Sequence, residues 1–241
     1  MDVLTVRDRA SYLQTQIERS DRKFVYCKVS SHDALKYRRM LAHAADEAGE
    51  RLAAGPICCL GTRNGREVDL FRAAFFGPRL LRRLVAWAER ETHSFVSLVP
   101  WLEGLGRSDW RALSARSVVG VEVNPRAARR DVWVGSFDEM PAAWTGQFGL
   151  LYSNSFDQAQ DPLRTAREWT RIVRPGGHLI IAFTKHRRPT ETDPVGGLCF
   201  EELRDLFGGD VVYYAEQGSE NGYSELILRM PEAPGPRGGE R

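Results

Sequence analysis

Two stretches restrict the fold of this chain more than any other: VVGVEV at Val118–Val123 and HLIIAF at His178–Phe183. Each is apolar on nearly every consecutive residue. A strand with one face in water alternates apolar and polar residues, so a run without alternation calls for cover on both faces. Further short apolar runs lie at Ile57–Leu60, Val132–Gly135, Phe148–Ser153, Val211–Ala215 and Ser224–Arg229, and helical patterns fall between several of them. Strands alternating with helices imply the α/β class, with an open, mostly parallel sheet of seven strands and helices on both faces.

Residues 1–55 read as a helical lead-in or cap. Val6, Ala10, Leu13 and Ile17 form one apolar stripe at helical spacing. Lys23–Val29 reads as a short strand or an extended linker. Ser30 then precedes a second helical face with Tyr37, Leu41, Ala44 and Ala48, and Asp33, three residues on, completes a capping box with the shorter acid. Residues 56–230 carry the strands. Residues 77–117 fit no simple crossover and read as a helical insertion of two or three helices. The tryptophans there, Trp87, Trp101 and Trp110, serve either packing or an aromatic wall over a substrate. Asp161 and Pro162 read as N-cap and first residue of a helix with Leu163, Ala166, Thr170 and Val173 on one face, stopped by Arg174–Gly177. Phe200, Leu203 and Phe207 mark another, ended by Gly208 and Gly209. The tail 231–241, PEAPGPRGGER, has the composition of a disordered segment.

A net charge of +2 over 241 residues makes no whole-molecule case for nucleic acid. The positive charge is clustered at Arg126, Arg129 and Arg130 and at Lys185, Arg187 and Arg188. These are either solvated surface or an anion-recognition rim. No apolar run reaches the roughly 18 residues of a membrane span. The N-terminus MDVLTVRDRASYLQ lacks the apolar core of a secretory signal, so a cytoplasmic location is expected. Cys27, Cys58, Cys59 and Cys199 show no metal-ligand spacing and are expected as reduced thiols, with no metal site.

The chemistry starts at ICCLGTRNGREVDLF, residues 57–71. A strand that ends at Gly61, with Gly65 opening a helix, brings backbone close to a ligand, because a Cβ would block the approach or the φ > 0 geometry. An ordinary strand–helix turn explains the spacing equally well. VVGVEVNP then places Glu122 at a strand's carboxyl end, where a carboxylate can accept the hydroxyls of a ribose. WVGSFDEMP, FGLLYSNSFDQ and RIVRPGGHLIIAF follow in order.

That ordered set resembles the class I S-adenosylmethionine-dependent methyltransferases over residues 56–230. The resemblance implies a Rossmann-like fold and S-adenosyl-L-methionine as cofactor. It implies that Gly61, Thr62, Arg63, Asn64 and Gly65 form the loop under the methionine part and that Glu122 holds the ribose with Asn124 beside it. Ser136, Phe137 and Asp138 would flank the adenine, and Ser153, Asn154 and Ser155 would floor the site near the methyl group. The chain departs from the family pattern at Cys59, where an acid is usual, and at Arg63, where glycine is usual. Ser136 stands where aspartate is often found, and Gly149 where strand four opens with an acid.

The implied activity is methyl transfer to an O, N or C nucleophile of a small-molecule acceptor, of the kind found in bacterial specialised metabolism. Asp157, His186 and Lys185 are candidates for a base. The competing readings are a methyltransferase-like binding or regulatory partner without catalysis, and an RNA or protein methyltransferase using the Lys185–Arg188 cluster. A nicotinamide enzyme fits less well, because the full G-x-G-x-x-G signature is absent. The oligomeric state stays open, a homodimer included.

Overall fold

A computed structural model describes residues 1–5, 8–24, 26–47, 55–92, 108–185 and 187–232. Its main sheet has seven strands: β2 (Ile57–Leu60), β3 (Val118–Glu122), β4 (Val132–Val134), β5 (Phe148–Ser153), β6 (Val173–Phe183), β8 (Asp210–Ala215) and β9 (Ser224–Arg229). The order is β4-β3-β2-β5-β6-β9-β8. Neighbours from β4 through β6 pair in parallel, and β9 is antiparallel to both β6 and β8. The expected α/β sheet is therefore present, with each predicted strand at or within a few residues of its place. The largest difference is β6, which begins at Val173, directly after a helix and through the Arg174–Gly177 segment. A two-stranded ribbon, β1 (Asp2–Val3) with β7 (Val195–Gly196), was not foreseen. Two residues are too few to show a period.

Because successive strand residues point to opposite faces, β2 feeds two cores. Cys58 and Leu60 join Val119, Val121, Leu151, Trp169 and Phe207 on one side. Ile57 and Cys59 join Val118, Tyr37, Phe71 and Tyr152 on the other. The adjacent cysteines thus face apart, and all four cysteines are free thiols.

Helices α1 (Arg9–Arg22) and α2 (Ser31–Glu47) precede the sheet, with no strand among the described residues 26–30 between them. The capping box is made: Ser30 Oγ accepts from Asp33 N at 3.0 Å, and Asp33 Oδ2 accepts from Ser30 N at 3.1 Å. Ser30→Ala is expected to lower stability by about 1 kcal/mol, read as a shift in the urea midpoint; no shift would show that α2 is held by packing alone. Helix α3 (Arg66–Phe76) follows β2, and α4 (Arg79–Thr92) follows α3. Helices α5 (Pro162–Ile172) and α6 (Phe200–Phe207) cover the other face, and Asp161 caps α5 as expected, accepting from Arg164 N at 3.0 Å.

Several faces differ from the sequence pattern. On α1 the buried residues are Tyr12, Gln16 and Ser20, not Ala10, Leu13 and Ile17; Val6 lies outside the described residues. The amphipathic rule assumes an apolar neighbour, whereas this helix lies over polar groups. On α5, Leu163 is exposed and Thr165, Trp169 and Ile172 are inside. Of the insertion, α4 is the one described helix; residues 93–107, Trp101 and Phe95 among them, lie outside the described part, and 108–117 contain no helix. Trp87 is exposed, whereas Trp110 packs on the core and its carbonyl accepts from Trp144 Nε1 at 3.1 Å. Of the tail, residues 233–241 lie outside the described part; Pro231 O accepts from Gly176 N at 3.3 Å.

Candidate functional site

From β2 the chain steps outward to β3 and β4, then crosses back to β5 on the other side. In an open parallel sheet such a reversal leaves a crevice beyond the strands' carboxyl ends. Gly61, Glu122, Gly135 and Ser155, which follow or end β2, β3, β4 and β5, all line one pocket there.

The loop 61–65 is shaped by left-handed backbone. Gly61 has φ +73°, Arg63 φ +54° and Gly65 φ +75°. A Cβ on Gly61 would fall 2.6 Å from Ser155 Oγ. Glycine is therefore required here both by the left-handed backbone and by the close approach of Ser155. Arg63 takes the left-handed conformation without that licence, and its own contacts hold it there. Its N–H donates to Glu122 Oε2 at 2.7 Å, and its guanidinium turns away to the carbonyls of Tyr26 at 3.2 Å and Lys23 at 3.4 Å. Asn64 Nδ2 donates to Phe24 O at 2.7 Å. Arg63 and Asn64 thus clamp the α1–α2 connector.

Glu122 is buried. Burial pushes its carboxyl above the ordinary range, against the hydrogen bonds from the N–H groups of Arg63 and Asn124 and from Ser20. Ser20 Oγ reaches it from α1 at 3.1 Å. The α1 face that sequence periodicity did not select supplies Tyr12, Gln16, Arg19 and Ser20 to the pocket. Tyr12 Oη donates to Gln158 O at 2.8 Å, Gln16 Nε2 donates to Thr192 O at 2.7 Å, and Arg19 pairs with Asp193. Burial, then the carboxylates of Asp193, Asp138 and Asp157, raise the Tyr12 phenol, so it stays a neutral donor.

Of the residues singled out from sequence, Gly61, Arg63, Glu122, Ser136, Phe137, Asp138 and Ser155 line this pocket. Thr62, Asn64, Gly65, Asn124, Ser153 and Asn154 are not in its wall. Asn124 caps the turn at Arg126 N and donates to Asp21 Oδ1, and Asn154 donates to Glu67. Asp157 stands next to the lining residue Gln158, 3.7 Å from the Arg187 guanidinium; burial first, then Asp193, pushes its carboxyl up to about 6. His186 lies outside the described residues. Leu13, Gln16, Arg19 and Ser20 were missed because a helix preceding the sheet gives no sequence signal of which loop it covers.

Apart from the exposed Arg188, the clustered basic residues have local partners. Lys185 pairs with Glu216, and Arg187 with Asp157 and Asp193. Arg129 lies between Asp69 and Asp131, Arg130 reaches Asp109, and Arg126 stacks over Phe24. Their ion pairs argue against an anion-recognition rim. No helix among the described residues is long and apolar enough to cross a membrane, and no group of three or more His, Cys, Asp or Glu among them is placed to hold a metal.

No family profile and no curated protein matches this chain. Solved structures do. The chain is similar to 1,6-didemethyltoxoflavin-N1-methyltransferase of Burkholderia thailandensis, solved with 1,6-didemethyltoxoflavin and S-adenosylhomocysteine bound, with 14% identity and a TM-score of 0.53 over 95% of this chain and 94% of that one. It is similar to the [4+2]-cyclase SpnF with 13% identity and a TM-score of 0.53 over 96% and 99%. Likeness at such identities is likeness of fold, and a cyclase among the neighbours shows that fold alone does not decide the reaction. The chain has the fold of the class I S-adenosylmethionine-dependent methyltransferases.

Proposed function

We propose that this protein binds S-adenosyl-L-methionine in the β2 crevice and transfers its methyl group to a small-molecule acceptor, in a reaction of specialised metabolism. One observation carries the reading: a buried carboxylate, Glu122, and the left-handed Gly61 with Ser155 packed against it share one pocket at the switch point of the sheet. The residues present fit the cofactor. Glu122 Oε2 accepts one hydrogen bond and Oε1 two, of which the Ser20 hydroxyl is exchangeable. A carboxylate has about four acceptor positions, so a ribose diol is accommodated by displacing Ser20. Phe137 offers an apolar face beside the backbone of Gly135 and Ser136 for the adenine.

The cofactor supplies an already activated methyl group on a sulfonium. The protein's task is then to align the acceptor and exclude water. Helix α1 does the covering, with Tyr12 as a neutral hydrogen-bond donor in the wall. Asp157, behind the Gln158 wall, is the base for an acceptor that must lose a proton. A small-molecule acceptor accords with the toxoflavin-precursor enzyme of similar fold, and the paired basic clusters leave little free charge for RNA.

Calorimetry with S-adenosylhomocysteine tests the reading. Glu122→Ala is expected to weaken binding by about 1–3 kcal/mol, the scale of lost charge-assisted hydrogen bonds. Unchanged affinity would place the ribose elsewhere; no heat from the unmodified protein at millimolar ligand would leave a non-catalytic partner as the better account.

A further inference from the structure

The cradle at Gly61 is bordered by Ser155, whose hydroxyl belongs to a chain of three side chains. Ser155 Oγ donates to Asn154 Oδ1 at 3.1 Å, and Asn154 Nδ2 donates to Glu67 Oε1 at 3.0 Å and to Tyr152 Oη at 3.3 Å. Glu67 belongs to the first turn of α3 and is buried, and its Oε2 has no hydrogen-bond partner among the described residues. With Glu67 ionised, these directions are not free to choose. An ionised carboxylate only accepts, so Asn154 must turn its NH₂ group toward Glu67. Its carbonyl oxygen then faces Ser155 and takes the single hydroxyl proton that Ser155 has. Ser155 is left with lone pairs alone to offer beside Gly61.

We propose that Glu67, acting through Asn154, is a positioning residue that fixes Ser155 as a hydrogen-bond acceptor and so selects a ligand presenting an N–H donor, such as a protonated amino group, at the Gly61 cradle. The inference rests on the cofactor reading above, in which that donor is the ammonium of the methionine part. Cys59 lies on the same side of β2 and gives the cradle no charge of its own. Burial pushes the Glu67 carboxyl up to about 7, with the Asn154 hydrogen bond and the Arg63 and Lys28 charges opposing and Glu122 adding to the rise; the neighbouring Cys59 thiol and Tyr152 phenol are themselves held neutral by burial. A protonated Glu67 can donate, which frees the amide to turn over. The preference for a donor therefore weakens as pH falls through about 7.

The test compares two probes by calorimetry on the full chain: S-adenosylhomocysteine, which carries the ammonium, and 5′-methylthioadenosine, which lacks it and keeps the ribose and adenine. Glu67→Met removes the acceptor at nearly constant volume, and Ser155→Ala removes the hydroxyl. Each is expected to cost about tenfold in affinity for S-adenosylhomocysteine, the scale of one charge-assisted hydrogen bond, while 5′-methylthioadenosine binds within about twofold of the unmodified protein. That second probe also reports that each variant is folded. In the unmodified protein the ratio of the two affinities should fall below pH 7 and stay flat in Glu67→Met; titration of Glu122 acts on both probes alike and cancels. Equal losses for both probes, or a ratio untouched in Glu67→Met, overturns the relay. Binding of neither probe to the unmodified protein overturns the cofactor reading and the relay with it.

Discussion

Gly61→Val is expected to abolish measurable binding of S-adenosylhomocysteine and leave the protein folded. The residue sits at φ +73°, and a Cβ there would meet Ser155 Oγ at 2.6 Å and Ser155 Cβ at 2.9 Å. Ser155 has no easy retreat, since its N–H is bound to Ser153 Oγ and its hydroxyl to Asn154. The left-handed backbone costs an L-residue about 1–2 kcal/mol, more when it is β-branched. Relief comes from moving the loop, which also carries the Arg63 N–H that holds Glu122. The two ends of the proposed cofactor site are lost together, so a fall of at least about 100-fold, roughly 2.7 kcal/mol, is expected. Both hydrophobic cores lie below the crevice and survive. Calorimetry paired with a circular-dichroism melt checks both halves, and normal affinity in a folded variant would sink the loop assignment.

Asp131→Ala should be among the most destabilising single changes in the chain, costing about 3–5 kcal/mol. Asp131 is fully buried just before β4. It accepts from Arg72 Nη2 at 2.5 Å and from Arg129 Nε at 2.9 Å, while Asp69 pairs with the same two arginines at 3.0 and 2.7 Å. Two acids and two arginines thus bolt α3 to the β3–β4 connection. Removing one acid leaves two guanidiniums, that of Arg72 almost wholly buried, sharing the single carboxylate of Asp69, so the network carries one uncompensated positive charge. Urea unfolding measures the loss. Replacing Arg72 and Asp131 together by apolar residues of similar size should recover much of it, because the cost arises from the orphaned charge and not from the missing attraction. A single-variant loss below about 1 kcal/mol would mean that water already reaches the network.

The strands were legible because burial on both faces leaves no room for polar residues, and that demand is written in consecutive apolar runs such as HLIIAF. The corners of the crevice were legible for a related reason. Strand ends at Gly61, Glu122 and Ser153 are marked by small or polar residues breaking such runs. Arg129 was not legible, since an arginine reads the same on a solvated helix end and between two buried aspartates. The buried face of α1 was misread, because periodicity records hydrophobicity and this helix buries Gln16 and Ser20.

The sequence by itself determined the class of the fold, the order of its elements and the left-handed turns at Gly61 and Gly65, because these depend on local period, caps and missing side chains. Only the tertiary structure decided which side chains meet. Arg63 looks from sequence like an obstruction in a glycine loop. In the fold its amide holds Glu122 and its guanidinium grips the carbonyls of Lys23 and Tyr26. That outcome depends on partners some 40 residues earlier in the chain, and contacts at such separation are set by packing, which no local pattern encodes.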